Sequence, residues 1–437
     1  MYRLIILLLT AILPSLPGNA KSYDKELVKA INSGDWFGLD SIYRSIPKNS
    51  VSDFLDVYSR CLIGYQMNRS DVSLPAFAEL FDKHSSELSS RQKVNSASMF
   101  SMVLSRVGDN ARAASVLSSV LEAEKEQLEP GTVNRVEQFV KQYSYLSDYK
   151  PYAITFGGES GCVPFRIVPG GRPEHNGRLM CLENSYINGI EADITFDTGA
   201  GVNVISDSLV DEYNLIPFDV ETRVSGAATH GGTYAIAREL RLGDITVRDV
   251  PFYVMNITSN NAEADQYMKT LGIIVGSELM LQLKDLTIVF VDGKITVPVE
   301  APHKTDVAPN MCFSSGMNLL ARGSINGTSV LMNVDTGDVT YGTLGSKFYK
   351  QNKKYIKSKG EKTTIRRAGI GGVNVSDGYK VTGMSLDLGG NNVNVPEFTV
   401  MPKMDPFGYE CNLGLKSLML YKKVRFNLVD FVLTTVE

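Results

Sequence analysis

"ADITFDTGAGVNVIS", residues 192–206, is an alternating apolar run that ends on Asp197, Thr198 and Gly199. Ala192, Ile194 and Phe196 make one face of a strand, and Asp193, Thr195 and Asp197 make the other. "VLMNVDTGDVTYGTL", residues 330–344, repeats the form, with Val330, Met332 and Val334 ahead of Asp335, Thr336 and Gly337. Each run delivers one carboxylate to a turn. A glycine two positions later allows a tight bend and a close approach of backbone. The threonine between them offers a hydroxyl to fix that turn.

The offset that carries Asp197 onto Asp335 also carries Ile187-Asn188-Gly189 onto Ile325-Asn326-Gly327. It carries Val275-Gly276 onto Leu413-Gly414 as well, so the interval from aspartate to downstream glycine is the same in both copies. Between these points "LGDITVRDVPFYVM" resembles "LGGNNVNVPEFTVM", displaced about eight residues further. The β-rich half is an internal duplication. Two such turns related by a pseudo-dyad can meet at its axis. Two adjacent carboxylates cannot both ionise easily, so they share one proton. One then serves as general base toward a water and the other as general acid toward a carbonyl.

A chain of 437 residues exceeds one core, so two or three domains are expected. Its net charge of −4 suggests no nucleic-acid partner. Arg3, the apolar run 4–13, Pro14, Pro17 and Gly18-Asn19-Ala20 form the pattern of a cleaved export signal, residues 1–20. The expected location is periplasmic or secreted, with no stable membrane span after cleavage. Five cysteines admit up to two disulfides. The four scattered histidines suggest no metal site, and no cofactor is expected. Residues 21–149 show helical spacings of three and four, broken at Gly34-Asp35 and Gly108-Asp109. Such hairpins are weakly similar to tetratricopeptide-type repeats and suggest a region that recruits a protein partner. From about Pro151, short alternating runs and frequent glycine indicate strands. The expected division is 1–20 signal, 21–149 helical, 150–300 first β lobe and 301–437 second.

The β half resembles the retropepsin and pepsin clan of aspartic proteases over about residues 180–437. Phe196-Asp197-Thr198-Gly199-Ala200 is similar to the clan's catalytic turn in its retropepsin style. Ile274-Val275-Gly276 supplies the two apolar residues and glycine that back the turn, and Asn412-Leu413-Gly414 supplies them in the second lobe. Asn412 departs from the pattern by replacing the first apolar residue. The resemblance implies a mainly β, bilobal acid-protease fold in one chain, with two retropepsin-like lobes. It implies Asp197 and Asp335 as catalytic, supported by Thr198, Gly199, Ala200, Thr336, Gly337 and Asp338. Asp338 is a second departure: pepsins have Ser or Thr there and retropepsins Ala. A third carboxylate beside the pair could raise its pKa values, or mark a lobe that has stopped catalysing.

The clan also closes a glycine-rich hairpin, the flap, over its substrate. "VSGAATHGGTY", residues 224–234, offers Gly231, Gly232 and Tyr234, and "RRAGIGGVNV", residues 366–375, offers Gly369 and Gly371. The resemblance implies an aspartic endopeptidase acting on a peptide or protein laid between the lobes. The alternative is a catalytically inactive peptide-binding module on the same fold. An inhibitory propeptide is disfavoured, because acidic and basic residues nearly balance over the helical region.

Overall fold

The computed structural model describes residues 21–47, 49–170, 176–225, 229–256, 271–314, 316–369 and 372–437; the expected signal, 1–20, lies outside them. The chain forms two compact units, one ending at Lys150 and one running from Pro151 to Glu437.

The first unit is helical. Gly34 closes the helix Asp24–Ser33 with φ 68°, and the Asp35 side chain accepts from Gly38 N to start Trp36–Ser45. Gly108 (φ 85°) and Asp109 repeat this between Ser90–Arg106 and Asn110–Glu124. Each Gly-Asp pair is thus a left-handed stop followed by a cap. Asp53–Gln66 packs on Ser70–Lys83, where Gly64 lets the backbones close to Ser73. No described helix is long and apolar enough to cross a membrane.

The second unit holds the duplication. From Ile194–Phe196 the sheet runs through Ile273–Val275, Val204–Ser206, Ile245–Met255 and Thr229–Leu242. From Thr328–Asp335 it runs in the same order through Cys411–Gly414, Gly342–Leu344, Asn391–Val400 and Gly372–Leu388. Register repeats as well: Ile274 pairs with Thr195, and Asn412 with Asn333, both parallel. Both Asn-Gly dipeptides form tight hairpin turns with positive φ, at Asn188-Gly189 and Asn326-Gly327. The chain is therefore a mainly β bilobal fold with a helical N-terminal region.

The strands do not divide cleanly at residue 300. Lys423–Asn427 and Val432–Val436, expected with the second lobe, continue the first lobe's sheet beyond Asp285–Val289 and Lys294–Pro298. The physical reason is an edge: without Lys423–Asn427 the Asp285–Val289 backbone is unpaired along one side. The same terminal strand reaches the second lobe, since Asn391 Nδ2 donates to Thr435 O (2.6 Å) and Thr435 Oγ1 to Leu388 O (2.6 Å). All five cysteines are free thiols.

One element was not expected. Ser346–Lys359 is a helix, amphipathic through buried Phe348 and Ile356 with lysines outside. The first lobe has only the short turn Asp207–Leu209 at that point.

Candidate active site

The two Asp-Thr-Gly turns meet between the lobes. Thr198 N donates to Thr336 Oγ1 (3.0 Å), and Thr336 N to Thr198 Oγ1 (3.1 Å). Thr198 Oγ1 then donates to Val334 O (2.6 Å), and Thr336 Oγ1 to Phe196 O (2.7 Å). Both threonines are fully buried. Each hydroxyl was expected to fix its own turn; each fixes the opposite one. The spacing of the carboxylates is thereby tied to four hydrogen bonds across the lobe boundary.

Gly199 N donates to Asp197 Oδ1 (2.8 Å) and Gly337 N to Asp335 Oδ1 (3.0 Å). Gly337 N also reaches Asp197 Oδ1 at 3.2 Å, so one N–H serves both carboxyl groups. A Cβ on Gly199 would fall inside the Asp335 carboxyl, and one on Gly337 inside that of Asp197. These glycines are demanded by the approach of the opposite lobe as much as by the turn.

The backing glycines act alike. Asp197 N donates to Val275 O (3.0 Å). A Cβ on Gly276 would lie 2.5 Å from Ala200 O and 2.6 Å from Val202 O, and one on Gly414 would meet the carbonyls of Asp338 and Thr340. Three contacts went unread in the sequence. Asn318 Nδ2 donates to Gly199 O. Tyr409 OH holds Asn318 Oδ1 at 3.1 Å. Arg178 N donates to Val339 O (2.9 Å). None of these residues is marked by a motif or a spacing rule, because each acts on a stretch of chain far from its own.

Both glycine-rich stretches form hairpins. Ile216–Ser225 pairs with Thr229–Leu242, with Arg223 opposite Gly231 and Thr222 opposite Gly232. Glu361–Gly369 pairs with Gly372–Leu388, with Gly369 opposite Gly372; Gly371 lies outside the described residues. Gly231 is in the returning strand and Gly369 in the outgoing one, so the offset between the two aspartates does not relate them. Gly378 was missed, and the further displacement of the downstream strands points to it. A Cβ on Gly232 would strike Val254 O, and one on Gly378 would strike Val400 O, each carbonyl standing at the same interval beyond its glycine. The helix Ser346–Lys359 supplies the added length. Tyr234, expected at the flap, is only 7% exposed. It stacks on Phe218 (5.5 Å) and meets Tyr253 edge-on (5.8 Å), which makes it core beneath the hairpin.

Residues 184–278 match the family model described as aspartyl protease. Over this segment the chain is similar to the aspartyl proteases. The match spans Asp197, the first hairpin and Ile274-Val275-Gly276. A comparison with curated proteins gives no match.

Within this pair the two carboxyl environments differ. Burial raises Asp197, held back by the N–H groups of Gly199, Gly337 and Ala200 and by a hydrogen bond from Asp335. Burial pushes Asp335 well above the carboxylate range; the charges of Asp197 and Asp338 push the same way, and a hydrogen bond from Asn412 opposes them. The arrangement can therefore keep one proton shared between Asp197 and Asp335. Asp338 is clamped: its Oδ1 accepts from Thr340 N (3.0 Å) and Thr340 Oγ1 (2.7 Å), and its Oδ2 from Asn412 Nδ2 (2.8 Å). The first lobe's counterparts, Ala200 and Ile274, carry no polar side chain.

A further buried carboxyl lies behind the first turn. Burial pushes Glu278 up to about 7, and Tyr152 OH donates to it. Asn203 Nδ2 donates in turn to Tyr152 OH (3.0 Å), while Asn203 Oδ1 accepts from Gly276 N (3.1 Å).

Proposed function

We propose that the chain is an aspartic endopeptidase. The observation that carries this reading is the pair of crossed turns, whose Asp197 and Asp335 carboxyl groups share the Gly337 N–H. A peptide binds extended between the lobes, contacted by backbone groups of the two hairpins. Ionised Asp197 takes a proton from a water as its oxygen attacks the scissile carbonyl carbon, and Asp335 gives its proton to the carbonyl oxygen. The tetrahedral diol then collapses, a proton passes to the amide nitrogen and the C–N bond breaks. Nothing is bound covalently to the protein. The reading extends to an exported protein, periplasmic or secreted, whose helical hairpins engage a protein partner.

Incubation with a mixed peptide library, with and without pepstatin, tests the activity. Asp197→Asn and Asp335→Asn are each expected to lower kcat/KM by at least about 10³-fold, since each aspartate has its own part in one proton cycle. Near-wild-type turnover by Asp335→Asn would exclude a shared site. Peptide binding with no cleavage by the wild type would favour the inactive binding module, a reading that Asp338 and Asn412 motivate.

A further inference from the structure

Asn412 stands where the first lobe has Ile274, and it is fully buried. Its Nδ2 donates to Asp335 Oδ2 and to Asp338 Oδ2, each at 2.8 Å, and its Oδ1 accepts from Asn333 Nδ2 (2.7 Å). Asn333 lies opposite Asn412 in the parallel ladder and is 2% exposed. Two buried amides in a strand core are costly unless they are used. Their chain runs from the second lobe's core to one oxygen of one carboxyl group and ends on a third carboxylate. Among the described residues no such chain reaches Asp197, whose corresponding neighbours are Ala200 and Ile274.

We propose that Asn333, Asn412 and Asp338 form a positioning arm that makes the two aspartates non-equivalent, fixing the orientation of the Asp335 carboxyl and setting the pH at which the pair loses its shared proton. This rests on the proposed peptidase reading. Asn412 fixes the rotation of the Asp335 carboxyl by holding Oδ2, while Gly337 N and Asp338 N hold Oδ1 (3.0 and 2.9 Å). Asp338 adds a negative charge on the far side of the same amide. The two carboxylates lie within about 6 Å of each other, close enough for like charge to disfavour an ionised Asp335. The arm thus has two opposed parts: the amide favours the ionised form, and the carboxylate favours the protonated one.

Among the described residues, the arm and the elements beside it carry these charged groups. Asp197 faces Asp335 from the first lobe's turn and Asp338 from its own. Lys416 lies over the Tyr341 ring (4.4 Å), Arg178 donates to Gly177 O, and Glu410 pairs with Lys347.

The opposed parts predict opposite shifts. Activity needs the singly protonated pair, so the alkaline limb of kcat/KM reports loss of the pair's shared proton. Asp338→Ala removes the charge and is expected to move that limb down by roughly one pH unit. Asn412→Ile, which installs the first lobe's residue, removes the donor and is expected to move it up. A purely structural arm would lower kcat in both variants with the limb unmoved, and that result, or shifts of one sign, overturns the proposal. Carboxyl 13C titration of the same variants reads the shifts without turnover. If the peptidase reading fails, wild type cleaves nothing, yet the titration still decides the arm. If only the arm fails, Asp197→Asn and Asp335→Asn are inactive while both titrations coincide with wild type.

Discussion

Glu278 is a buried carboxyl for which the proposed chemistry has no use. Its pKa is raised from 4.5 to about 7, chiefly by burial, with Tyr152 OH opposing. A raised acid binds its proton more tightly in the folded chain than in the unfolded one. Its contribution to stability is therefore complete below pH 4.5 and lost as pH climbs to about 7. Over that window the loss is on the order of 3 kcal/mol. Glu278→Gln keeps a side chain that can accept from Tyr152 and is expected to remove that part of the pH dependence. Thermal midpoints of wild type and variant from pH 4 to 8 check this: they should converge at low pH and separate as pH rises, with the variant higher. Parallel curves would show that Glu278 is solvated. Burial raises the dyad carboxyls as well, with the same sign, so the difference between the two proteins is the quantity to read.

At the scale of elements, an ion pair staples Lys423–Asn427 to Asp285–Val289 in the shared sheet. Arg425 Nε and Nη2 bind the two oxygens of Asp285 at 3.0 and 2.7 Å across neighbouring strands. The Asp285 side chain is 5% exposed and that of Arg425 45%. Arg425→Ala leaves a buried carboxylate alone, and about 1–3 kcal/mol of stability is expected to go, discounted for the half-exposed arginine. Urea unfolding checks it, and a change below a few tenths would mean that water replaces the guanidinium. Legibility in the sequence followed the same division by scale. The alternation leading into Asp197 and Asp335 and the matched glycines were readable because strand period and turn chemistry are local. The helix Ser346–Lys359 was not separated from its β surroundings, because Phe348 and Ile356 are its only buried side chains. Its length then hid the equivalence of Gly232 and Gly378. Asn412 stood out as a departure, but its use depends on Asp335, Asp338 and Asn333 arriving from other stretches of chain. Tyr234 misled because a tyrosine beside a glycine-rich turn has the same sequence signature whether it faces the cleft or the core.

For the whole molecule, the boundary at Lys150 separates two units with their own cores. A chain beginning at Pro151 is expected to keep its β-sheet circular dichroism and its cooperative unfolding, because Tyr152, Asn203 and Glu278 remain together. Loss of that signal would make the helices part of the lobes' stability. The C-terminal strands carry a different consequence. Asp285 pairs with Asn427 across almost the whole second lobe, and the Asp285–Val289 edge is covered only when the last strands arrive. During synthesis the first aspartate emerges long before its partner, and the Asp285–Val289 edge waits for Lys423–Asn427. Pairings of such sequence separation form late. A chain still lacking Lys423–Asn427 thus already carries both aspartates but leaves the Asp285–Val289 backbone open as a template for a strand of another molecule.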